Sequence, residues 1–227
     1  ELLAIAKLDS VALENLIRIA IAEDLAGATD VTSVATIPEN QRAVAEFRSR
    51  KSGVIAGIPV VCAVLEICGI TEYEIKKSDG EVASENSLLL TAKGETRALL
   101  LAERSALNFI GRLSGIATLT KIWVDEVADT KSEIRDTRKT TPGLRELEKY
   151  AVRMGGGKNH RFSLSDAALV KDNHVLAAGG VAQAFKLVKE KFPNLPLEVE
   201  VDSLQQLREV IEAGAELVLL DNMTIEE

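Results

Sequence analysis

From residue 132 onward the chain alternates short apolar runs with amphipathic segments, and this alternation limits the fold more than any other feature. The runs are SEIRDTRKT (132–140), DAALVKDNH (166–174), LPLEVEVDS (195–203) and AELVLLDNM (215–223). Helical spacing fills the gaps at Gly143–Arg153, Val181–Lys191 and Leu204–Ala213. Strands alternating with helices of this length imply parallel strands joined by crossover helices. A (β/α) barrel and an open doubly wound sheet both satisfy the pattern. The distribution of charge favours the barrel, because each run is apolar and then ends in polar residues.

The first hundred residues read differently. Val11–Leu25 has apolar residues at helical spacing, EDLAGATDVTS (23–33) is turn-rich, and Gln41–Arg50 alternates as a half-buried strand does. Gly53 and Gly57 flank a short strand, and Pro59–Cys68 returns to helical periodicity with proline in its first turn. YEIKK (73–77), SDGE (78–81) and LLLTAKGE (88–95) suggest strands around a turn. This is an α+β pattern. Thr96–Asp129 spells one or two long helices, with a break expected at Ser114-Gly115. The expected domains are therefore 1–114 and 115–227.

Aromatic residues make up only 4% of the chain, so the core must be aliphatic. A net charge of −8 makes the chain a poor general binder of nucleic acid, whose phosphates require a positive surface. Two cysteines, Cys62 and Cys68, lie in an apolar run and read as buried thiols; with two histidines they are too few for a structural zinc site. No signal-peptide pattern and no apolar run of about 18 residues is present, so a cytoplasmic location without membrane association is expected. The chain begins with Glu and ends in TIEE, which reads as the start of a helix, so the sequence is expected to be part of a longer one.

The strand ends carry the chemistry. They are Arg135-Asp136-Thr137-Arg138-Lys139, Lys171-Asp172-Asn173-His174, Glu198 through Asp202, and Asp221-Asn222. Glu198, Glu200 and Asp202 share one face by the two-residue period, where they must be paired, hydrated or bound to a cation. Residues 135–174 hold nine Lys or Arg against five acids, and both histidines, His160 and His174. Such a local positive basin in an acidic chain suits a small anion. Arginine offers a planar fork to carboxylate or phosphate, and lysine a point charge. Arg145, Lys149 and Arg153 stand at helical spacing and read as a solvated helix face. Glu200 and Asp221 supply the opposite chemistry: contact with ribose hydroxyls, a phosphate-bound Mg2+, or a developing positive charge on a sugar carbon. Gly155-Gly156-Gly157 admits three readings: a phosphate nest, a lid hinge or a plain turn.

ERSALNF (103–109), LSGIAT (113–118), DTRKTTPGLR (136–145), KYAVRMGGGKNHRFSLSDAALVKDNH (149–174), EVEVDS (198–203) and LLDN (219–222) together resemble the bacterial nicotinate-nucleotide pyrophosphorylase family, also called quinolinate phosphoribosyltransferase. The resemblance runs through essentially the whole chain. It implies an N-terminal open-faced α/β sandwich followed by an incomplete, seven-stranded (β/α) barrel. It implies a homodimer in which Arg104 reaches the partner's active site. Arg138, His160, Arg161 and Lys171 match positions that bind the two quinolinate carboxylates. Thr137 and Lys139 fall in the same segment, with Lys139 nearer phosphoribosyl pyrophosphate, and His174 lies beside the site. Glu200 and Asp221 match acids that contact ribose and Mg2+; with Lys139 they form the expected catalytic set. The family continues with two more strands bearing a Glu-Ser-Ser-Gly-Gly-like loop and a Gly-rich loop for the 5′-phosphate. Nothing here matches them, so the C-terminal barrel strands are expected to be missing from this chain. The implied reaction joins quinolinate to phosphoribosyl pyrophosphate, giving nicotinate mononucleotide, pyrophosphate and CO2. The alternatives are a related transferase for another aromatic acid, a Schiff-base aldolase using Lys171, and a non-catalytic anion-binding module.

Overall fold

A computed structural model describes residues 2–226. Packing divides them into two compact units, which part between His160 and Arg161.

The first unit opens with α1 (Leu2–Ala6), α2 (Ser10–Leu25) and α3 (Val31–Thr36). Asp9 caps α2 by accepting from the Val11 and Ala12 amides, and Asp30 caps α3 by accepting from Thr32 and Ser33. The turn-rich stretch 23–33 thus yields a second helix start. Asp30 provides it, and the cap outweighs the poor helix propensity of the Val-Thr-Ser run that follows.

Strands β1 (Arg42–Arg48) and β2 (Gly53–Val54) lead to α4 (Ile58–Ile67), then β3 (Glu72–Ile75), β4 (Val82–Ala83) and β5 (Leu88–Glu95). β5 is the centre of an antiparallel sheet in the order β1-β5-β3, and β2 pairs antiparallel with β4. On β1, Arg42, Val44, Glu46 and Arg48 are exposed while Ala43, Ala45 and Phe47 turn inward. Phe47, Leu90 and Ala92 join one aliphatic core with Ile17, Val60, Val61, Val64 and Leu65. The exposed face is instead laced with ion pairs, including Arg42–Glu72 at 2.8 Å.

Helix α5 (Thr96–Glu126) is unbroken over 31 residues, roughly 46 Å at the standard rise. The expected break at Ser114-Gly115 does not occur. Small residues are needed there for close approach, not for a bend. The Ser114 hydroxyl meets both the Ala56 amide at 3.0 Å and its carbonyl at 3.2 Å. One turn further, Thr118 Oγ1 accepts from the Val54 amide at 2.9 Å. A Cβ on Gly53 would lie 2.6 Å from that same oxygen. The boundary expected at 114/115 therefore falls inside a helix.

Helix α6 (Arg145–Met154) packs against α5 and leads into the triple glycine. A Cβ on Gly155 would lie 2.3 Å from the Ala117 carbonyl, and one on Gly157 would lie 2.7 Å from the Val152 side chain. Gly156 turns the chain at φ +89°. The three amides donate to Ala151, Arg153 and Val152 carbonyls. No amide is left for a phosphate, and contact on both flanks is unlike a hinge. These glycines make a close-packed turn against α5.

The expected strand 132–140 reduces to a single parallel bridge between Arg135 and Lys158. Lys158 donates to the Ile134 carbonyl at 2.8 Å, and Asp136 donates to the Lys158 carbonyl at 3.1 Å. Beyond Asp136 the pairing stops, and the Asp136 side chain takes up the partners described below.

The second unit is β6 (Ala168–Val170), α7 (Asp172–Ala178), α8 (Val181–Lys191), β7 (Leu197–Val201), α9 (Leu204–Glu212) and β8 (Leu217–Leu220). The strands form a parallel sheet in sequence order, β6-β7-β8. Its core is Val170, Val181, Ala184, Phe185, Val199, Val201 and Val210. Alternation along β7 buries Val199 and Val201 and turns Glu198 and Glu200 to the other side. Among the described residues no helix is long and apolar enough to cross a membrane. Burial pushes the Cys62 thiol up to about 12 and also raises that of Cys68, in keeping with unreactive core thiols.

Candidate active site

In the first unit, the segment 136–141 is fixed at both ends. At its start, Asp136 accepts from the Lys149 ammonium, from Asn159 Nδ2 at 2.5 Å and from the His160 amide at 2.8 Å. Lys149 is fully buried and also donates to the His160 carbonyl at 3.0 Å. The expectation that Lys149 lies on a solvated helix face is therefore wrong. An ammonium leaves water only where a carboxylate and further acceptors replace it, and Asp136 with the His160 carbonyl does so here. Arg153, also expected on that face, donates to Asn159 Oδ1 at 2.9 Å and to the Ala6 carbonyl at 2.8 Å.

At the far end, Arg112 from α5 binds Glu148, and Glu148 accepts from the Thr141 amide at 3.2 Å. Burial works to raise the Glu148 carboxyl, but hydrogen bonds from Arg112 and Thr141 outweigh it and hold the group below the usual range. Between these anchors, the Lys139 amide donates to Thr137 Oγ1 at 2.9 Å, and Arg145 Nε reaches Thr140 Oγ1 at 3.1 Å. The segment is thus held by the chain's own hydrogen bonds. Thr137 and Lys139 are exposed, and Arg138 is half-buried.

Arg138 Nε is buried and has no hydrogen-bond partner. A buried donor left unsatisfied costs about 1–3 kcal/mol, so a partner supplied from outside the chain would be favourable there. His160 is half-buried, and its backbone is held on both sides by Asp136 and Lys149.

Arg104 stands elsewhere in this unit. It is exposed on α5 and lines a cavity of about 760 Å3 with Arg48, Arg50, Lys51, Leu107 and Ile110.

In the second unit, the parallel register aligns Val170 with Val199, so Lys171 follows beside Glu200. Their side chains meet at 3.3 Å, with Glu200 the more buried partner. The next pairing, Val201 with Leu220, is extended by the Asp221 amide donating to the Val201 carbonyl at 2.9 Å. Asp221 therefore follows opposite Asp202, two positions beyond Glu200, which the two-residue period puts on the same face. It accepts from the neighbouring Asn222 side chain at 2.7 Å. His174 is exposed, and its Nδ1 accepts from the Lys171 amide at 2.9 Å, fixing the first turn of α7.

Arg161 donates to the Ala167 carbonyl at 3.1 Å across a tight loop. Asp166 organises that loop by accepting from the Phe162 amide at 2.7 Å and the Ser163 amide at 3.0 Å. Burial opposes ionisation of Asp166, but these bonds and the Ser163 hydroxyl bring its carboxyl down to about 2. Among the described residues no cluster of three or more His, Cys, Asp or Glu could hold a metal by itself. Glu200 and Asp221 fit only a hard cation that arrives with ligands of its own, as Mg2+ does when bound to phosphates.

The structure thus places Arg104, Thr137, Arg138, Lys139 and His160 in the first unit, with the last four drawn together by the Asp136 network. It places Arg161, Lys171, His174, Glu200 and Asp221 in the second, with Lys171, Glu200 and Asp221 on one face of the sheet. Sequence reasoning named Asp136 only as part of a strand end and missed Lys149 and Asn159; the side chains of all three support the first group.

Models of the N-terminal and C-terminal domains of quinolinate phosphoribosyl transferase match residues 30–114 and 116–227. A Mycobacterium leprae protein named nicotinate-nucleotide pyrophosphorylase [carboxylating] is 48% identical over 217 residues, covering 94% of this chain and 76% of that one. A Synechocystis protein described as a probable enzyme of the same name is 41% identical over 184 residues, covering 80% of this chain and 62% of its own length. The solved nicotinate-nucleotide pyrophosphorylase of Francisella tularensis superposes with a TM-score of 0.91 at 37% identity, over 96% of this chain and 78% of that one. The chain belongs to the quinolinate phosphoribosyltransferase family.

Proposed function

We propose that this chain carries out the reaction its relatives are named for, transfer of phosphoribose from phosphoribosyl pyrophosphate to quinolinate with loss of CO2, in the biosynthesis of NAD. The observation that carries the reading is Arg138 Nε, a buried donor without a partner on a segment fixed at both ends. A carboxylate is the partner that such a donor is prepared to meet. Arg138, His160, Arg161 and Lys171 supply the cationic groups for the two carboxylates of the flat diacid. Thr137 contributes to the same segment, and Lys139 lies toward the pyrophosphate. His174 lies beside the site, held there by the Lys171 amide on its Nδ1, with Nε2 available to substrate.

Glu200 and Asp221 contact the ribose. Mg2+ bound to the pyrophosphate would be held by these two acids, directly or through water, and would make pyrophosphate a better leaving group. As the bond from C1 of the ribose to the pyrophosphate oxygen lengthens, the carbon becomes oxocarbenium-like, and the carboxylates of Glu200 and Asp221 offset that charge. The pyridine nitrogen forms the new bond to C1, held in line by its clamped carboxylates. The ring is then cationic. The electron pair of the bond to the 2-carboxylate flows into it, CO2 leaves, and a proton takes its place. No protein nucleophile is required.

The fold reading goes with this. The polar, ion-paired outer face of the β1-β5-β3 sheet is that expected of an open-faced sandwich. Sequential parallel order in β6-β7-β8 is that of an arc of a (β/α) barrel; doubly wound sheets reverse strand order at a switch point. The basic rim and apolar floor of the Arg104 cavity suit a second copy of the chain, with Arg104 reaching its site. A cytoplasmic location follows from the same reading.

Turnover tests the function. Quinolinate, phosphoribosyl pyrophosphate and Mg2+ should give nicotinate mononucleotide, pyrophosphate and CO2 in equal amounts. Product formed equally well from nicotinate would point to a related transferase, and no product from any pyridine acid, with quinolinate still bound, would point to an anion-binding module.

A further inference from the structure

The buried pair Lys149–Asp136 lies outside the expected carboxylate-binding set, yet Arg138 and His160 are tied to it through the chain. Asp136 lies two residues before Arg138 and accepts from three groups: the Lys149 ammonium, Asn159 Nδ2 and the His160 amide. Lys149 in turn holds the His160 carbonyl, and Asn159 Nδ2 also donates to the Lys149 carbonyl at 2.8 Å. Arg153 fixes the other end of the Asn159 amide. The segments 134–136 and 158–160 therefore run side by side, joined by a bridge of backbone hydrogen bonds and then by one carboxylate.

Hydrophobic packing alone would not require this arrangement. An ion pair taken fully out of water adds little net stability, since desolvation consumes most of the attraction; a well-packed apolar pair often serves as well. What it adds is direction. A carboxylate with three donors in fixed places permits one mutual setting of two chain segments, where methyl groups would permit several. The groups set in this way are Arg138 and His160.

We propose that Lys149, Asp136 and Asn159 are positioning residues for the carboxylate-binding groups Arg138 and His160, and that the pair is kept for the affinity it gives toward the aromatic diacid instead of for stability. This rests on the quinolinate reading above.

The test separates the two roles. In the double variant Asp136→Asn/Lys149→Met both charges go, so no uncompensated ion is left in the core. Its thermal midpoint should stay close to that of the unaltered chain, while its quinolinate Kd, read by titration calorimetry, should rise at least tenfold. Backbone amides of 137–141 and 159–160 should exchange with deuterium at least tenfold faster, with exchange in β5 unchanged. A stable double variant with unaltered affinity overturns the proposal, and so does unaltered exchange in those segments, whatever the ligand. Should the double variant fail to fold, Asn159→Ala decides, because Asn159 is only half-buried: a three- to tenfold rise in Kd supports the proposal, and an unchanged Kd overturns it. Failure of the quinolinate reading itself looks different. The unaltered chain would then bind no quinolinate, and amide exchange alone would still judge the positioning role.

Discussion

Replacing Arg138 with alanine should weaken quinolinate binding by about 2–4 kcal/mol, roughly 30- to 1000-fold in Kd. The magnitude follows from a charge-assisted, desolvated contact made by a side chain whose Nε has nothing else to bind. The same substitution should do little to the fold. An unpartnered donor contributes no hydrogen bond to the free protein, so its removal sacrifices none. Affinity and stability should therefore separate: calorimetry with quinolinate should show the loss, and the melting curve should barely move. A fall in both would make Arg138 a structural residue.

Asp136→Asn should produce the opposite split. The substitution nearly preserves shape but takes from the fully buried Lys149 ammonium the carboxylate charge of Asp136. Breaking one partner of a buried pair costs about 3–5 kcal/mol. For a chain of this size that corresponds to roughly 6–20 °C in Tm. Removing the ammonium as well, as Lys149→Met, should restore most of the loss. Denaturant or thermal unfolding of the single and double variants checks this directly; equal stability of the single variant and the unaltered chain would mean that Asp136 does not carry the balancing charge.

Much of the site was legible because strands have a simple period. Lys171 and Glu200 could be assigned to strand ends, and Glu200 to the face opposite Val199, from alternation alone; register then brings the two to 3.3 Å. Helical spacing was less informative. Arg145, Lys149 and Arg153 recur every four residues, and basic residues so placed usually coat a solvated face. The middle of α6 is instead buried from Leu147 through Ala151. Periodicity within one helix cannot report that Asp136 arrives from another segment to balance Lys149. Leu147, Tyr150 and Ala151 around it were the available signal. The triple glycine misled for a related reason. Glycine marks both open turns and close contacts, and only the Ala117 carbonyl beneath Gly155 distinguishes them. The unbroken α5 teaches the same lesson, since Ser114 is small and polar to meet the Ala56 backbone, not to end a helix.

The central claim is that Arg138 waits for a carboxylate of a planar diacid. A crystal structure of the protein soaked with quinolinate tests it most directly. One carboxylate oxygen should lie within about 2.7–2.9 Å of Arg138 Nε, with segment 136–141 unmoved. Quinolinate bound with both carboxylates away from Arg138, and its Nε still unpartnered, would contradict the account.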